Sequence, residues 1–208
     1  MAKNQRQWYR RVFPTAHKIL LERRLNALYE QVGGRVLIVG AGKEPYKELL
    51  KYADNVLVTD VGEWHAGLDE IADVHSLPYR DESFDYVLAI EVFEHLRKPS
   101  QAAAEIHRVL KPGGKAIATI PFMFRVHADP YDYQRLTKGG LEVLFEEFAS
   151  VQIQPFGGRT HVVSDIITTI AKPFFVLRCI NWLLCLPVVE RASRDCPSGY
   201  SVELLKVS

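Results

Sequence analysis

Between Arg35 and Phe122, short branched apolar runs alternate with helical stretches, and this limits the fold more than any other feature of the chain. "RVLIV" (35–39) reads as a buried strand, and residues 44–53 read as a helix. "NVLVTD" (55–60) is a second strand ending on an acid, and "DEIADV" (69–74) holds a short third. "FDYVLAIE" (84–91) is a fourth. Ala102, Ile106, Val109 and Leu110 then recur at helical spacing within 99–110. "KPGG" (111–114) stops that helix, and "KAIATIPF" (115–122) is a fifth strand. Strands apolar on both faces and separated by helices pair in parallel through right-handed crossovers. The expectation is a doubly wound α/β chain whose ligand lies beyond the carboxyl ends of the strands.

The rest of the chain adds an amphipathic helix (138–148), a strand at 151–156 and a final alternating strand at 200–207. Between those two strands lies an apolar segment, about 160–190, expected to be a helical insertion. Its greasiest part, 166–189, is interrupted by Lys172, Pro173 and Arg178. The charge-free remainder is too short for a membrane-spanning helix, which needs about 20 apolar residues. Three readings stay open: a helical lid over the sheet edge, a peripheral membrane surface with Trp182 at headgroup level, or a homodimer interface. The division expected is a basic helical arm at 1–30 and a main domain at 31–208. The first 24 residues hold Lys3, Arg6, Arg10, Arg11, Lys18, Arg23 and Arg24 against Glu22 alone.

Composition excludes some classes. At 208 residues, 48% hydrophobic and 25% charged, the chain can bury an ordinary core, and a net charge of +1 points to no nucleic-acid partner. Cys179, Cys185 and Cys196 form no CxxC pair, so neither a disulfide framework nor a zinc site is expected, and no metal is called for. Residues 1–24 are polar and aromatic with no apolar h-region, so no signal peptide is expected. The cytoplasm is the expected compartment, with the inner face of the membrane as its extension.

Chemistry gathers at the strand ends. Gly40, Ala41 and Gly42 follow the first strand, where glycines let the backbone approach a ligand or simply turn the chain. Asp60 ends the second strand about twenty residues on, where a carboxylate accepts from a ribose diol. Asp73 and Glu91 end the third and fourth strands. No lysine–hydroxyl pair follows the glycines, so a nucleoside triphosphate is not expected. The ligand these acids suit carries a ribose, an amine and positive charge.

Together, "VLIVGAG", "VTD", "ADVHSLPYRDESFDYVLAIEVFEHL" and "EIHRVLKPGGKAIATIPF" resemble the class I S-adenosylmethionine-dependent methyltransferases with the "LP…FD…EH…RVLKPGG" signature. "HADPYDYQRLTKGGLEVLF" (127–145) resembles a subgroup associated with polysaccharide and cell-envelope biosynthesis. The resemblance implies a Rossmann-like, mostly parallel seven-stranded sheet with an antiparallel last strand, and S-adenosylmethionine as cofactor. Gly40, Ala41 and Gly42 would cradle the methionine portion. Asp60 would hold the ribose with Val61 beside the adenine, Asp73 and Val74 would meet the adenine edge, and Glu91 would sit near the sulfonium. His95 matches the "EH" pair, as a site residue or a helix cap. Ile38 stands where the family usually has an acid, a loss worth about 1.5–3 kcal/mol of cofactor binding.

For the acceptor, the residues after the fifth strand include His127 as general base, Asp132 to orient it or meet a sugar hydroxyl, and Arg135 to bind an acidic group. The alternative is a structural turn with Arg135 tied to Asp132. The amino-methylating Asn/Asp-Pro-Pro-aromatic motif is missing after the fourth strand, which favours O-methylation. The expected acceptor is a sugar, glycan or lipid-linked intermediate. A small metabolite, a lipid quinone, or a catalytically silent scaffold of the same fold are the rival readings.

Overall fold

The computed structural model of the chain describes residues 14–42, 50–62, 67–127, 131–170, 179–186 and 195–207. In chain order the elements are α1 (Ala16–Tyr29), β1 (Gly33–Ile38), β2 (Tyr52–Asp60), β3 (Glu70–Ile71), β4 (Phe84–Ile90), a 3₁₀ turn (Phe93–His95), α2 (Pro99–Val109), β5 (Leu110–Pro121), α3 (Lys138–Leu144), β6 (Ser150–Phe156), α4 (Arg159–Ile170), α5 (Cys179–Leu184) and β7 (Gly199–Leu205). The described residues fall into two compact units. One takes in 1–25, 122–125 and 155–199; the other takes in 26–121, 126–154 and 200–208.

The larger unit is built on the seven-stranded sheet, in the order β3-β2-β1-β4-β5-β7-β6. Pairings β1–β2, β1–β4, β2–β3 and β4–β5 are parallel. Backbone bonds Gly113 N–H to Lys206 O and Lys206 N–H to Gly114 O, with Ala149 N–H to Leu205 O, pair the far end of β7 with the early parts of its neighbours. β7 therefore runs antiparallel to both, as the sequence leads one to expect. The central strands are apolar on both faces because both are covered: Val36, Leu37, Val87, Leu88, Ile117 and Ala118 are all buried.

Boundaries differ from expectation in three places. β2 begins at Tyr52, since Tyr52 and Ala53 already pair with Gly33 and Gly34; the end of the helix expected at 44–53 is thus strand, and 44–49 lie outside the described residues. β5 begins at Leu110. Leu110 pairs with Phe84 and Lys115 with Tyr86, so Lys111–Gly114 bulge opposite the single residue Asp85. The Pro-Gly-Gly run loops out of the strand where it was expected to precede it. Lys111 Nζ holds this bulge to both Asp85 oxygens at 2.8 and 2.9 Å. Finally, α3 ends at Leu144, four residues early. Its start is fixed by Thr137, whose hydroxyl accepts from Gly140 N–H at 3.2 Å.

In the smaller unit, Asp165 of α4 caps the start of α1. Its two oxygens accept from Ala16 N–H at 2.7 Å and His17 N–H at 2.9 Å. Those are orphan donors at a helix N-terminus, where negative charge is favoured. The His161 ring links α4 to α5. Nδ1 accepts from Gly158 N–H at 3.1 Å, which leaves Nε2 to donate to the Leu184 carbonyl at 3.1 Å. The expected 160–190 insertion is thus helical at 160–170 and 179–184, and none of the described helices is long and apolar enough to cross a membrane.

Candidate functional site

The sheet order reverses between β1 and β4, which opens a crevice at their carboxyl ends. The loop leaving β1 enters it with two left-handed glycines, Gly40 at φ 59° and Gly42 at φ 57°. A Cβ on Gly40 would come within 2.8 Å of Val92 Cγ2, so only glycine lets this loop close against the one after β4. A Cβ on Gly42 would meet none of the described residues within 4 Å.

Asp60, buried at the end of β2, fixes that loop: its Oδ2 accepts from Gly42 N–H at 2.7 Å. Ala41 N–H donates to the Thr59 carbonyl at 3.1 Å, and the Thr59 hydroxyl donates to the Ile38 carbonyl at 3.0 Å. Gly40, Ala41, Gly42 and Asp60 are thereby brought together as the spacing predicts. Val61 is exposed beside them, whereas Ile38 is buried in the strand. Glu91 carries φ 55°, a left-handed conformation costing a non-glycine residue about 1–3 kcal/mol. Its N–H bonds to the Thr119 carbonyl at 3.0 Å and hydroxyl at 3.1 Å hold it there. Asp73 is exposed and engaged by His75, through the backbone N–H at 2.9 Å and the ring Nδ1 at 2.7 Å. Burial raises its carboxyl, but the His75 bonds outweigh this and leave it below the usual range. Val74 beside it is buried.

The second half of the site follows β4. The 3₁₀ turn puts Glu94 fully inside, at 0% exposure, and neither of its oxygens meets a hydrogen-bond partner of ordinary geometry among the described residues. Burial first, then the neighbouring Glu91 charge, push its carboxyl well above the usual range; its own amide and Arg135 act the other way. His95 and His127 face it. Glu94 Oε1 lies 3.5 Å from His95 Nε2 and 3.9 Å from His127 Nε2. The two imidazoles meet edge to face, with centroids 5.1 Å apart.

Each ring is held from behind. His95 Nδ1 lies 2.5 Å from the Tyr131 carbonyl, an acceptor only, so Nδ1 carries the proton. His127 Nδ1 lies 3.3 Å from Asp132 Oδ2, which also accepts from His127 N–H at 2.8 Å. Arg135 clamps the same carboxylate with both terminal nitrogens, Nη2 at 2.6 Å and Nη1 closer still. Burial raises Asp132, yet the Arg135 bonds and the His127 amide leave its carboxyl below the usual range. The chain thus gathers the four sequence candidates His95, His127, Asp132 and Arg135. It realises the Arg135–Asp132 tie as well. Glu94, at their centre, is the residue that sequence reasoning missed.

Other signature residues serve the frame. Arg108 on α2 reaches Glu105, Asp81 at 2.7 Å, the Tyr79 carbonyl at 2.8 Å and the Leu77 carbonyl at 3.0 Å. It latches the "LPYRDE" loop onto the helix. A groove of about 340 Å³ lined by Ser100, Ala103, Gly140, Val143 and Phe148 contains none of the candidate site residues.

Residues 37–118 match the family model described as a methyltransferase domain. The chain is 27% identical over 168 residues to the 27-O-demethylrifamycin SV methyltransferase of Amycolatopsis mediterranei, covering 71% of this chain and 62% of that protein. It is 32% identical over 113 residues to the demethylmenaquinone methyltransferase of Staphylococcus epidermidis, covering 49% of this chain and 42% of that one. The chain thus spans less than two thirds of these relatives' lengths, and 23% of an uncharacterized 37.1 kDa Streptomyces fradiae protein that it also matches. Among solved structures, a SAM-dependent methyltransferase from Thermotoga maritima superposes with a TM-score of 0.67 at 16% identity, covering 98% of this chain and 95% of that one. The chain thus shares the fold of these solved structures, and its 37–118 segment is similar to methyltransferase domains.

Proposed function

We propose that this chain is an S-adenosylmethionine-dependent methyltransferase that methylates an oxygen of a small or glycan-type acceptor. The observation that carries it is the bond between Gly42 N–H and the buried strand-end carboxylate of Asp60. This left-handed glycine meets none of the described residues on its Cβ side, and a strained acid, Glu91, ends β4 at the same sheet edge. That arrangement fits a nucleoside with a cationic centre, and S-adenosylmethionine supplies an electrophilic methyl group there. The backbone at Gly40–Gly42 would meet its amino-acid portion and Asp60 its ribose, while Glu91 favours positive charge nearby. The protein's own task is to orient an acceptor and take its proton.

His127 suits the proton transfer. The Asp132 carboxylate at its Nδ1 directs the lone pair to Nε2, and Arg135 fixes that carboxylate in turn. The fixed Asp–His pair supports O-methylation over transfer to a nitrogen that needs no base. The relatives' printed names, a demethylrifamycin and a demethylmenaquinone enzyme, support a small-molecule acceptor. A sugar or lipid-linked acceptor is supported by the sequence resemblance at 127–145 and by the exposed Ile166, Ile167, Trp182 and Leu183 of α4 and α5. Vesicle co-sedimentation of the full chain, with and without Trp182→Ala, tests that extension; no sedimentation of either refutes it. The reading as a whole is tested by methyl transfer from labelled cofactor to cell-envelope extracts, to 27-O-demethylrifamycin SV and to demethylmenaquinone. Wild type is expected to label an acceptor and His127→Ala to lose that labelling. Failure of the chain to bind cofactor contradicts the reading.

A further inference from the structure

The cluster around Glu94 brings two imidazoles up to a buried carboxylate that no described residue satisfies. With Nδ1 of each imidazole turned toward an acceptor, Nε2 of His95 and of His127 are lone-pair atoms. Both look at a fully buried carboxylate whose oxygens have no hydrogen-bond partner of ordinary geometry among the described residues. The donor atoms lie within 4.8 Å of one another. The 3.5 and 3.9 Å separations from Glu94 are near the edge of about 3.4 Å that a tetrahedron with bonds of about 2.1 Å requires. At 3.5 Å a shared proton makes a poor bond, whereas an ion held with the imidazoles would satisfy the Glu94 carboxylate.

We propose that Glu94, His95 and His127 bind a divalent transition-metal ion of the zinc type. Two imidazoles and a carboxylate are the ligands such an ion prefers over magnesium or calcium, and three protein ligands leave a position open. The surroundings fit. Ligating histidines in proteins turn their other ring nitrogen to a carbonyl or carboxylate, the roles filled here by Tyr131 and Asp132. Glu91 and Asp132 add negative charge around Glu94 against the single guanidinium of Arg135. A bound ion would occupy the same His127 Nε2 lone pair that the proposed O-methylation uses as its base, so the two states would exclude each other. Metal binding itself stands apart from that reading.

The test uses the untagged full chain after chelator treatment, titrated with Zn²⁺ by calorimetry and with Co²⁺ by visible absorption. One ion per chain is expected, with a tetrahedral cobalt spectrum lacking a thiolate charge-transfer band. Glu94→Gln and His127→Ala are each expected to weaken binding about 100-fold or more, while Cys179→Ser leaves it unchanged. Circular dichroism and binding of S-adenosylhomocysteine report whether each variant is folded. No uptake by wild type, a thiolate band, or undiminished uptake by a folded His127→Ala overturns the proposal. Metal uptake without S-adenosylhomocysteine binding refutes the methyltransferase reading and leaves the metal site standing.

Discussion

Two carboxylates near the same sheet edge have opposite surroundings. Asp60, after β2, is buried and accepts a backbone N–H from the loop it serves. Glu94, after β4, is buried more completely and has no such donor. A buried carboxylate with a donor organises structure; one without a donor is a standing cost unless a cation or a proton joins it. The first anchors the loop proposed to cradle the cofactor, and the second is the carboxylate of the proposed metal cluster.

The largest expected effect breaks the first half of that contrast. Asp60→Ala removes both the loop's anchor and the proposed ribose acceptor, and S-adenosylhomocysteine affinity is expected to fall about 100-fold or more in calorimetry. The loss of a charged loop bond should also lower stability by about 1.5–3 kcal/mol in urea unfolding. The second half predicts the opposite sign. In metal-free protein, Glu94→Gln replaces a buried carboxylate by an amide that donates to the imidazoles, so the unfolding free energy is expected to rise by about 1 kcal/mol. A clear fall there would mean that Glu94 is satisfied after all.

The frame gives two smaller tests. Arg108→Ala frees a loop carrying neither carboxylate, and it is expected to cost about 1.5–3 kcal/mol in denaturant melts with little change in cofactor affinity. At Asp85, burial raises the carboxyl but the Lys111 and Arg35 hydrogen bonds bring it below the usual range. A carboxyl lowered in the folded state adds stability above its unfolded pKa, near 4, and loses it as pH falls through the folded value. Wild type should therefore lose this contribution below about pH 4, and Asp85→Asn should flatten the profile there. The pair is partly exposed, so the effect is expected to be about 0.5 kcal/mol.

Strand order and the glycine loop bonded to Asp60 could be read from the chain, because apolar runs, glycines and strand-end acids are local signals. Asp60 is such a signal, twenty residues beyond Gly40. The bulge at Lys111–Gly114 was not: Pro and Gly read as a stop, while the pairing that carries β5 across them is made by the distant Phe84 and Tyr86. Glu94 escaped for the same reason. In "VFEHL" a glutamate beside a histidine reads as a polar turn, and only the packing of the turn puts its carboxylate inside. His127, Asp132 and Arg135 were visible as chemistry, but their convergence on Glu94 is a property of the fold.

The most direct measurement is calorimetric titration of the untagged chain and of Asp60→Ala with S-adenosylhomocysteine. The crevice predicts one site of micromolar affinity in the wild type, lost in the variant. The absence of binding to the folded wild type, or equal binding to both proteins, would contradict the account.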